Sequence, residues 1–281
     1  MTDALPVEPA VVPVLLYHAV TEDPGSQIAP FAVSPAEFER QMDVVQAAGR
    51  TIVSFGQLIS GDVRGAPEAA APSGSAERRV VITFDDGYAD FADAALPALQ
   101  ARGLVSTLFL TTGWLAGGPG RTPGPTDRML SWSQLPELQE AGVELGAHSH
   151  SHPQLDTLTR PALRDELGRS KDLLEDALRR EVDTFAYPHG YNGPRVRRAT
   201  RESGYRAAAA VRNALHRPGG DPFAVARLMV TRATTAGDVA RWLDGTGAPV
   251  AGRRDSLATR GWRVYRRGRA VVRGAAGSDY R

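Results

Sequence analysis

Cysteine is absent from all 281 residues. That excludes disulfides, thiolate metal sites, iron–sulfur clusters and a cysteine nucleophile, and leaves His, Asp and Glu as the strong side-chain ligands. Lysine is nearly absent as well: Lys171 is the single lysine among 33 basic residues, so a Schiff-base lysine is not expected. No stretch approaches eighteen apolar residues, and the first thirty residues lack a basic segment followed by a long apolar run. Neither a transmembrane helix nor a secretory signal is visible, and a cytoplasmic or peripheral location is expected. Excess charge of one sign is missing too. The total of +1 gives no reason to expect a nucleic-acid partner, and no motif suggests one.

What is present is an ordinary globular composition, 42% apolar and 23% charged, in a chain long enough for one α/β domain with appendages. The charge is unevenly spread. Residues 250 to 281 hold nine Arg against Asp255 and Asp279, a net +7, which leaves −6 for residues 1 to 249. With Trp262 and Tyr265 among its arginines, this tail reads either as a solvated C-terminus or as a weak contact for an anionic membrane or cell-wall surface.

Short apolar runs alternate with amphipathic or capped stretches. Strands are expected at 11–17, 51–54, 79–84, 104–110, 143–147, 183–187, 205–211 and 224–230. Helices are expected at 35–48, 55–60, 89–101, 131–141, 160–180, 195–202 and 235–243. Ser34-Pro35-Ala36-Glu37 is a capping box with proline at the first helical position. Residues 61–76, rich in Gly, Pro, Ala and Ser, read as a surface loop. Repeated strand-then-helix units, about seven of them, argue for a parallel sheet closed into a barrel over residues 11–245, followed by the basic tail at 246–281.

The chemistry-bearing residues share one position in this pattern. His18, Asp85-Asp86, His148-Ser-His150-Ser-His152 and His189 all follow directly on an apolar strand, and strand C-terminal ends are where parallel α/β folds build their sites. Adjacent side chains on extended backbone point apart, so Asp85 and Asp86 should differ in role: one could bind a metal while the other takes a proton. Gly87 lets the chain turn sharply behind them. His148 and His152, four apart, reach one metal if the segment forms a turn or compact loop, whereas a straight strand would align all three histidines; His150 is the ambiguous member. Two His and one carboxylate suit a catalytic divalent ion, most naturally Zn²⁺, although Fe²⁺, Co²⁺ and Mn²⁺ fit the same donors. Tyr187 and Trp132 are read either as walls of a sugar site or as core.

Taken together, these residues resemble the polysaccharide deacetylase family, also called carbohydrate esterase family 4 or the NodB-homology domain. Thr83-Phe84-Asp85-Asp86-Gly87 matches its first motif and His148 to His152 its His-Ser/Thr-x-x-His motif. Phe185-Ala186-Tyr187-Pro188-His189-Gly190 resembles the third motif. Leu15-Leu16-Tyr17-His18 resembles the Tyr-His opening of a subgroup that includes poly-N-acetylglucosamine deacetylases. The resemblance implies a distorted (β/α)7 barrel and a metal-dependent hydrolase that removes N-acetyl groups from an amino-sugar polymer, oligomer or conjugate, with an N-acetylated carbohydrate as partner. It implies Asp86, His148 and His152 as metal ligands, Asp85 as general base, a backbone N–H near His189 as oxyanion donor, and a histidine as the acid for the departing amine. His18 is the first candidate for that acid and His189 the second.

The chain also departs from the family pattern. Ala186 stands where the third motif usually has an Arg that pairs with the catalytic Asp, and His189 stands where Tyr is common. The Asp-x-x-Asp-Trp and late Leu-x-His segments are not found. Arg227 is read either as a substitute partner for Asp85 or as an ordinary surface arginine. Two other functions remain open on this sequence: hydrolysis of another amide, such as the cyclic amide of allantoin, and carbohydrate binding by a barrel that has lost turnover.

Overall fold

The computed structural model describes residues 11–61, 78–252 and 265–266. Among the described residues ten strands form: β1 (Val14–Tyr17), β2 (Ala19–Val20), β3 (Ala32–Val33), β4 (Thr51–Ile52), β5 (Arg79–Phe84), β6 (Thr107–Leu110), β7 (Glu144–Ala147), β8 (Thr184–Ala186), β9 (Ala207–Ala209) and β10 (Leu228–Met229). The helices are α1 (Pro35–Ala47), α2 (Phe55–Ser60), α3 (Leu96–Gln100), α4 (Leu135–Glu140), α5 (Arg160–Leu178), α6 (Pro194–Glu202) and α7 (Ala236–Leu243). The main sheet runs β10-β1-β5-β6-β7-β8-β9, with β4 added beside β5, and every strand pair in it is parallel. Its two ends meet through Val225, whose backbone exchanges hydrogen bonds with Ala208 and Ala210 just before the chain enters β10. The ring is therefore a distorted seven-stranded barrel, and its irregular seam lies between β9 and β10.

Alternation along the strands divides the core. Val80, Ile82 and Phe84 of β5 join Leu15, Leu108 and Leu110 against Phe38 and Met42 of α1, while Val14, Val81, Phe109, Ala186, Ala207, Ala209 and Val225 form a separate, smaller cluster. Side chains two apart share a sheet face, so Thr83 and Asp85 continue the face of Val81, and Gly146 and His148 share a face on β7. The barrel thus delivers Asp85 and His148 to one end of its interior. Outside, α5 buries Leu163, Leu167, Leu174 and Leu178 along one stripe, with Thr159 capping it as expected.

Several elements are shorter than the sequence suggests. The helix expected at 89–101 splits into a π-helical turn, Phe91–Ala95, and α3. Pro97 lacks an N–H and its ring clashes with the carbonyl four residues back, and the wide turn ahead of it accommodates this. Pro136 sits at a similar division, between the 3₁₀ turn Trp132–Gln134 and α4. The strand expected at 224–230 shrinks to Leu228–Met229 because Pro222–Ala224 forms a 3₁₀ turn.

The loop expected at 61–76 lies, apart from Gly61, outside the described residues, and so does most of the tail. The membrane or cell-wall contact expected of that tail therefore falls on residues that are not described, save for 250–252 and 265–266. Among those, Ala251 pairs with Leu215 and Arg266 turns inward to Asp156. No described helix is long and apolar enough to cross a membrane.

Candidate active site

Asp86 is the turning point of the site. Its φ of +76° is left-handed, a region that Asp tolerates better than most residues, and Gly87 follows at +95°. The turn lets two adjacent carboxylates do different things. Asp85 stays on the inward face and accepts two 2.7 Å hydrogen bonds from Arg227, one on each oxygen. Asp86 is swung over the strand ends toward His148 and His152.

The segment His148 to His152 forms a compact loop, not a straight strand. Ser149 (φ +65°) and His152 (φ +59°) are left-handed, and Ser149 Oγ accepts the His152 N–H at 3.0 Å. The loop is pinned from α5 by Glu166, whose carboxylate accepts the N–H groups of His150 and Ser151 at 2.9 and 2.8 Å and the Ser151 hydroxyl at 2.5 Å. His150 turns away: its Nδ1 pairs with Thr112 Oγ1 at 2.9 Å. That leaves His148 and His152 to converge, as the four-residue spacing allows.

One ligand atom from each of Asp86, His148 and His152 lies within 4.8 Å of the others, and all three residues are buried. Asp86 Oδ1 stands 3.5 Å from His148 Nε2 and 3.4 Å from His152 Nε2. Tetrahedral zinc with ligands at about 2.0–2.1 Å places ligand atoms roughly 3.3–3.4 Å apart, which the two Asp86–His distances match. The chemistry of the cluster agrees. His148 Nδ1 is held by the Ala186 carbonyl at 2.9 Å, which fixes the tautomer and leaves Nε2 with its lone pair free to coordinate. Asp86 Oδ1 is buried without a hydrogen-bond partner. These residues could hold a divalent cation.

The electrostatics point the same way. Burial would raise the Asp85 carboxyl, but the charge and hydrogen bonds of Arg227, with help from His148, outweigh it and hold Asp85 below its ordinary value. Burial, then the neighbouring Asp85 charge, pushes Asp86 well above its own. Burial lowers His148 to about 4 and carries His152 well below its ordinary value, helped by the other histidines. Two neutral imidazoles and an ion-paired Asp85 leave Asp86 as the group whose ionisation a cation would favour.

The two candidate acids flank this cluster. His18, between β1 and β2, is half-buried, with Nδ1 buried and unpartnered, and packs on Phe31 with ring centroids 5.3 Å apart. Burial lowers it to about 4 against the raising effect of Asp85. His189 (φ +56°) is exposed; its ring lies 4.6 Å from that of His152 and stacks on Tyr191. Four of the six left-handed non-glycine residues among those described, Asp86, Ser149, His152 and His189, are thus gathered at this end, where backbone strain is commonly concentrated in functional sites.

Some residues fall differently from the sequence reading. Arg227 is fully buried and salt-bridged, not a surface residue. Tyr187 is core, with its hydroxyl donating to the Phe223 carbonyl, and Trp132 is half-buried against the main core. The aromatics that border the site are Trp114, whose ring lies 4.8 Å from that of His152, and Tyr191. Neither these nor Glu166 carried a local sequence signal; Trp114 and Glu166 act through contacts between separate segments, and Tyr191 through its neighbour His189.

Comparisons with known proteins agree with this geometry. A family model for polysaccharide deacetylases matches residues 73–208. YxkH of Bacillus subtilis, placed by its name among polysaccharide deacetylases, is 26% identical over 201 residues, which cover 70% of this chain and 63% of that protein. Chitin deacetylase 1 of Cryptococcus neoformans is 27% identical over 124 residues, covering 44% of this chain and 23% of its own. The chain thus spans less than two thirds of either curated relative. The crystal structure of BA0330 from Bacillus anthracis, a polysaccharide deacetylase by name, superposes with a TM-score of 0.66 at 25% identity over 83% of this chain and 68% of that one.

Proposed function

We propose that the chain, whose residues 73–208 match a family model for polysaccharide deacetylases, is a divalent-metal hydrolase that removes N-acetyl groups from an amino-sugar polymer, oligomer or conjugate. The observation that carries this reading is the buried, unpartnered Asp86 oxygen 3.4–3.5 Å from two imidazole nitrogens, beside a second carboxylate held separately by Arg227.

Asp86, His148 and His152 are the proposed ligands, and Zn²⁺ is the ion that their donor set and spacing favour. A divalent ion bound there supplies Lewis-acid polarisation of the acetamide carbonyl and makes an attacking water more acidic. Asp85 is the proposed base. Arg227 keeps it ionised at neutral pH and fixes both oxygens, so it is poised to accept a proton yet too weak to take one from ordinary water. The C–N bond breaks as the amine nitrogen gains a proton, and His18 is assigned as its donor. Its imidazole is neutral at rest, so the proton it gives must first reach it: the proton that Asp85 takes from the attacking water is the available one, and negative charge developing on the carbonyl oxygen would raise the affinity of His18 for it. His189, exposed above His152, is the second candidate; its neighbour Tyr191 is stacked on it and covered by the Arg266 guanidinium 3.5 Å from the ring centroid.

Acetate release from chitooligosaccharides, peptidoglycan and small N-acetylglucosaminides, measured for the wild type and for Asp86→Ala, tests the reading. Chelator-sensitive acetate release that Asp86→Ala abolishes is expected. Full activity in the variant contradicts the ligand assignment, and ring opening of a cyclic amide without acetate release contradicts the substrate class.

A further inference from the structure

Helices α5 and α6 follow β7 and β8, so both begin at the end of the barrel that carries His148, His152 and His189. They pack together, and between them lies a cleft of about 350 Å³. Arg160 and Arg164 line it from the first turns of α5, Arg195 and Arg198 from α6, and Glu202 is the acidic residue among its walls. Four arginines less one glutamate give +3, in a stretch of chain, residues 1 to 249, whose total is −6.

Glu202 does little to offset this. It lies 3.8 Å from Arg164, and both side chains are more than half exposed, a geometry that contributes little. Among the described residues no carboxylate pairs with Arg160 or Arg198. The first turn of α6, which lacks a side-chain cap, adds partial positive charge at the Arg195 end.

Arg195 connects the cleft to the catalytic loop. Its Nη2 donates to the Asp156 carbonyl at 3.0 Å and lies 3.5 Å from that of Leu155, four and three residues beyond His152. Guanidinium groups recognise phosphate and carboxylate oxygens through forked, charge-assisted hydrogen bonds, and a neutral glycan offers them no such partner. We propose that this cleft binds an anionic group, phosphate or carboxylate, carried by the N-acetylated glycan away from the reacting acetamide. The substrate is then an acidic glycan; this inference rests on the deacetylase reading above.

The test uses the full, metal-loaded chain and the double variant Arg160→Glu/Arg198→Glu, whose two positions are exposed. Binding of fluorescent poly(glycerol phosphate) and of fluorescent oligogalacturonate, neither of which carries an acetamide, is measured by anisotropy at several salt concentrations. The basic tail is identical in both proteins. The wild type should bind at least one probe, more weakly as salt rises, and the variant about tenfold or more weakly than the wild type, as expected for loss of charge-assisted contacts. The tighter probe identifies the group. Equal binding by the variant, or no binding of either probe at low salt, overturns the proposal whatever the enzyme's activity. The ratio of KM for an acidic N-acetylated glycan to KM for neutral chitooligosaccharide should likewise rise about tenfold in the variant, and an unchanged ratio also overturns the proposal. Absence of acetate release from every glycan strikes the deacetylase reading instead, and the binding arm still decides the cleft.

Discussion

Replacing Arg227 with methionine should remove the counter-charge of Asp85 while keeping much of the buried volume. The two side chains are 0% and 3% exposed and share two 2.7 Å bonds; the longer Arg227 contacts, to Thr83 Oγ1 at 3.2 Å and the Ala210 carbonyl at 3.3 Å, matter less. Removing one member of such a buried pair costs about 3–5 kcal/mol, because the partner is left charged and unsolvated. Asn in place of Asp85 removes that stranded charge, so Asp85→Asn/Arg227→Met should recover at least about 2 kcal/mol of the loss, though not the activity.

The pH dependence should change sign as well. In the wild type the folded-state pKa of Asp85 is depressed, so its contribution is present above the unfolded value and is lost as pH falls through the folded one. Without Arg227, burial dominates and raises the carboxyl, so stability falls as pH rises through that higher value. Urea unfolding followed by tryptophan fluorescence at several pH values, with chelator present throughout, reads both effects. A loss below about 1 kcal/mol for Arg227→Met, or a double variant as unstable as the single one, would refute the argument.

Other consequences are open to measurement. Glu166→Ala frees the His150–Ser151 backbone from α5 and should weaken Zn²⁺ binding about 10–100-fold in a competition titration; unchanged affinity would show that the loop holds its shape unaided. His18→Ala should lower kcat about 10²–10⁴-fold if His18 donates the amine proton, and His189→Ala should act chiefly on KM; the reverse pattern transfers the role to His189. Burial, opposed by the Val20 backbone hydrogen bond and reinforced by Asp127 and Asp93, raises Asp90 to about 6. A folded-state pKa above the unfolded one means that stability falls as pH rises between about 4 and 6. Asp90→Asn should therefore stabilise the fold at pH 7 by up to about 3 kcal/mol and have little effect below pH 4; a variant less stable at both would contradict this.

Much of this site is legible in the sequence because strand ends are. The apolar runs before Asp85, His148 and His189 stop abruptly at polar residues, and parallel topology gathers those stops at one end of the barrel. Separating Asp85 from Asp86 takes more, since the left-handed turn at Asp86 is not encoded by propensity, and the resemblance to a known family supplied their distinct roles. Arg227 was only half legible: its position near a late strand was visible, but burial against Asp85 depends on the β10-β1-β5 order, which no local signal specifies. Trp114 and Glu166 were missed because their contacts to the His148–His152 loop likewise join separate segments. Tyr187, in a motif beside His189, proved to be core because its hydroxyl reaches the Phe223 carbonyl and its ring packs edge-on against Phe185. The helix at 89–101 broke where Pro97 made an unbroken α-helical hydrogen-bond ladder unavailable.

One divalent ion on Asp86, His148 and His152 should be what acetate release by this chain depends on. Elemental analysis and acetate release from N-acetylated chitooligosaccharides, measured on the same preparation before and after chelation and after Zn²⁺ is returned, test it most directly. About one equivalent of divalent metal per chain is expected, with acetate release lost on chelation, restored by Zn²⁺, and absent in His148→Ala. Undiminished acetate release from metal-free protein, or a full equivalent of metal retained by His148→Ala together with activity, would contradict it.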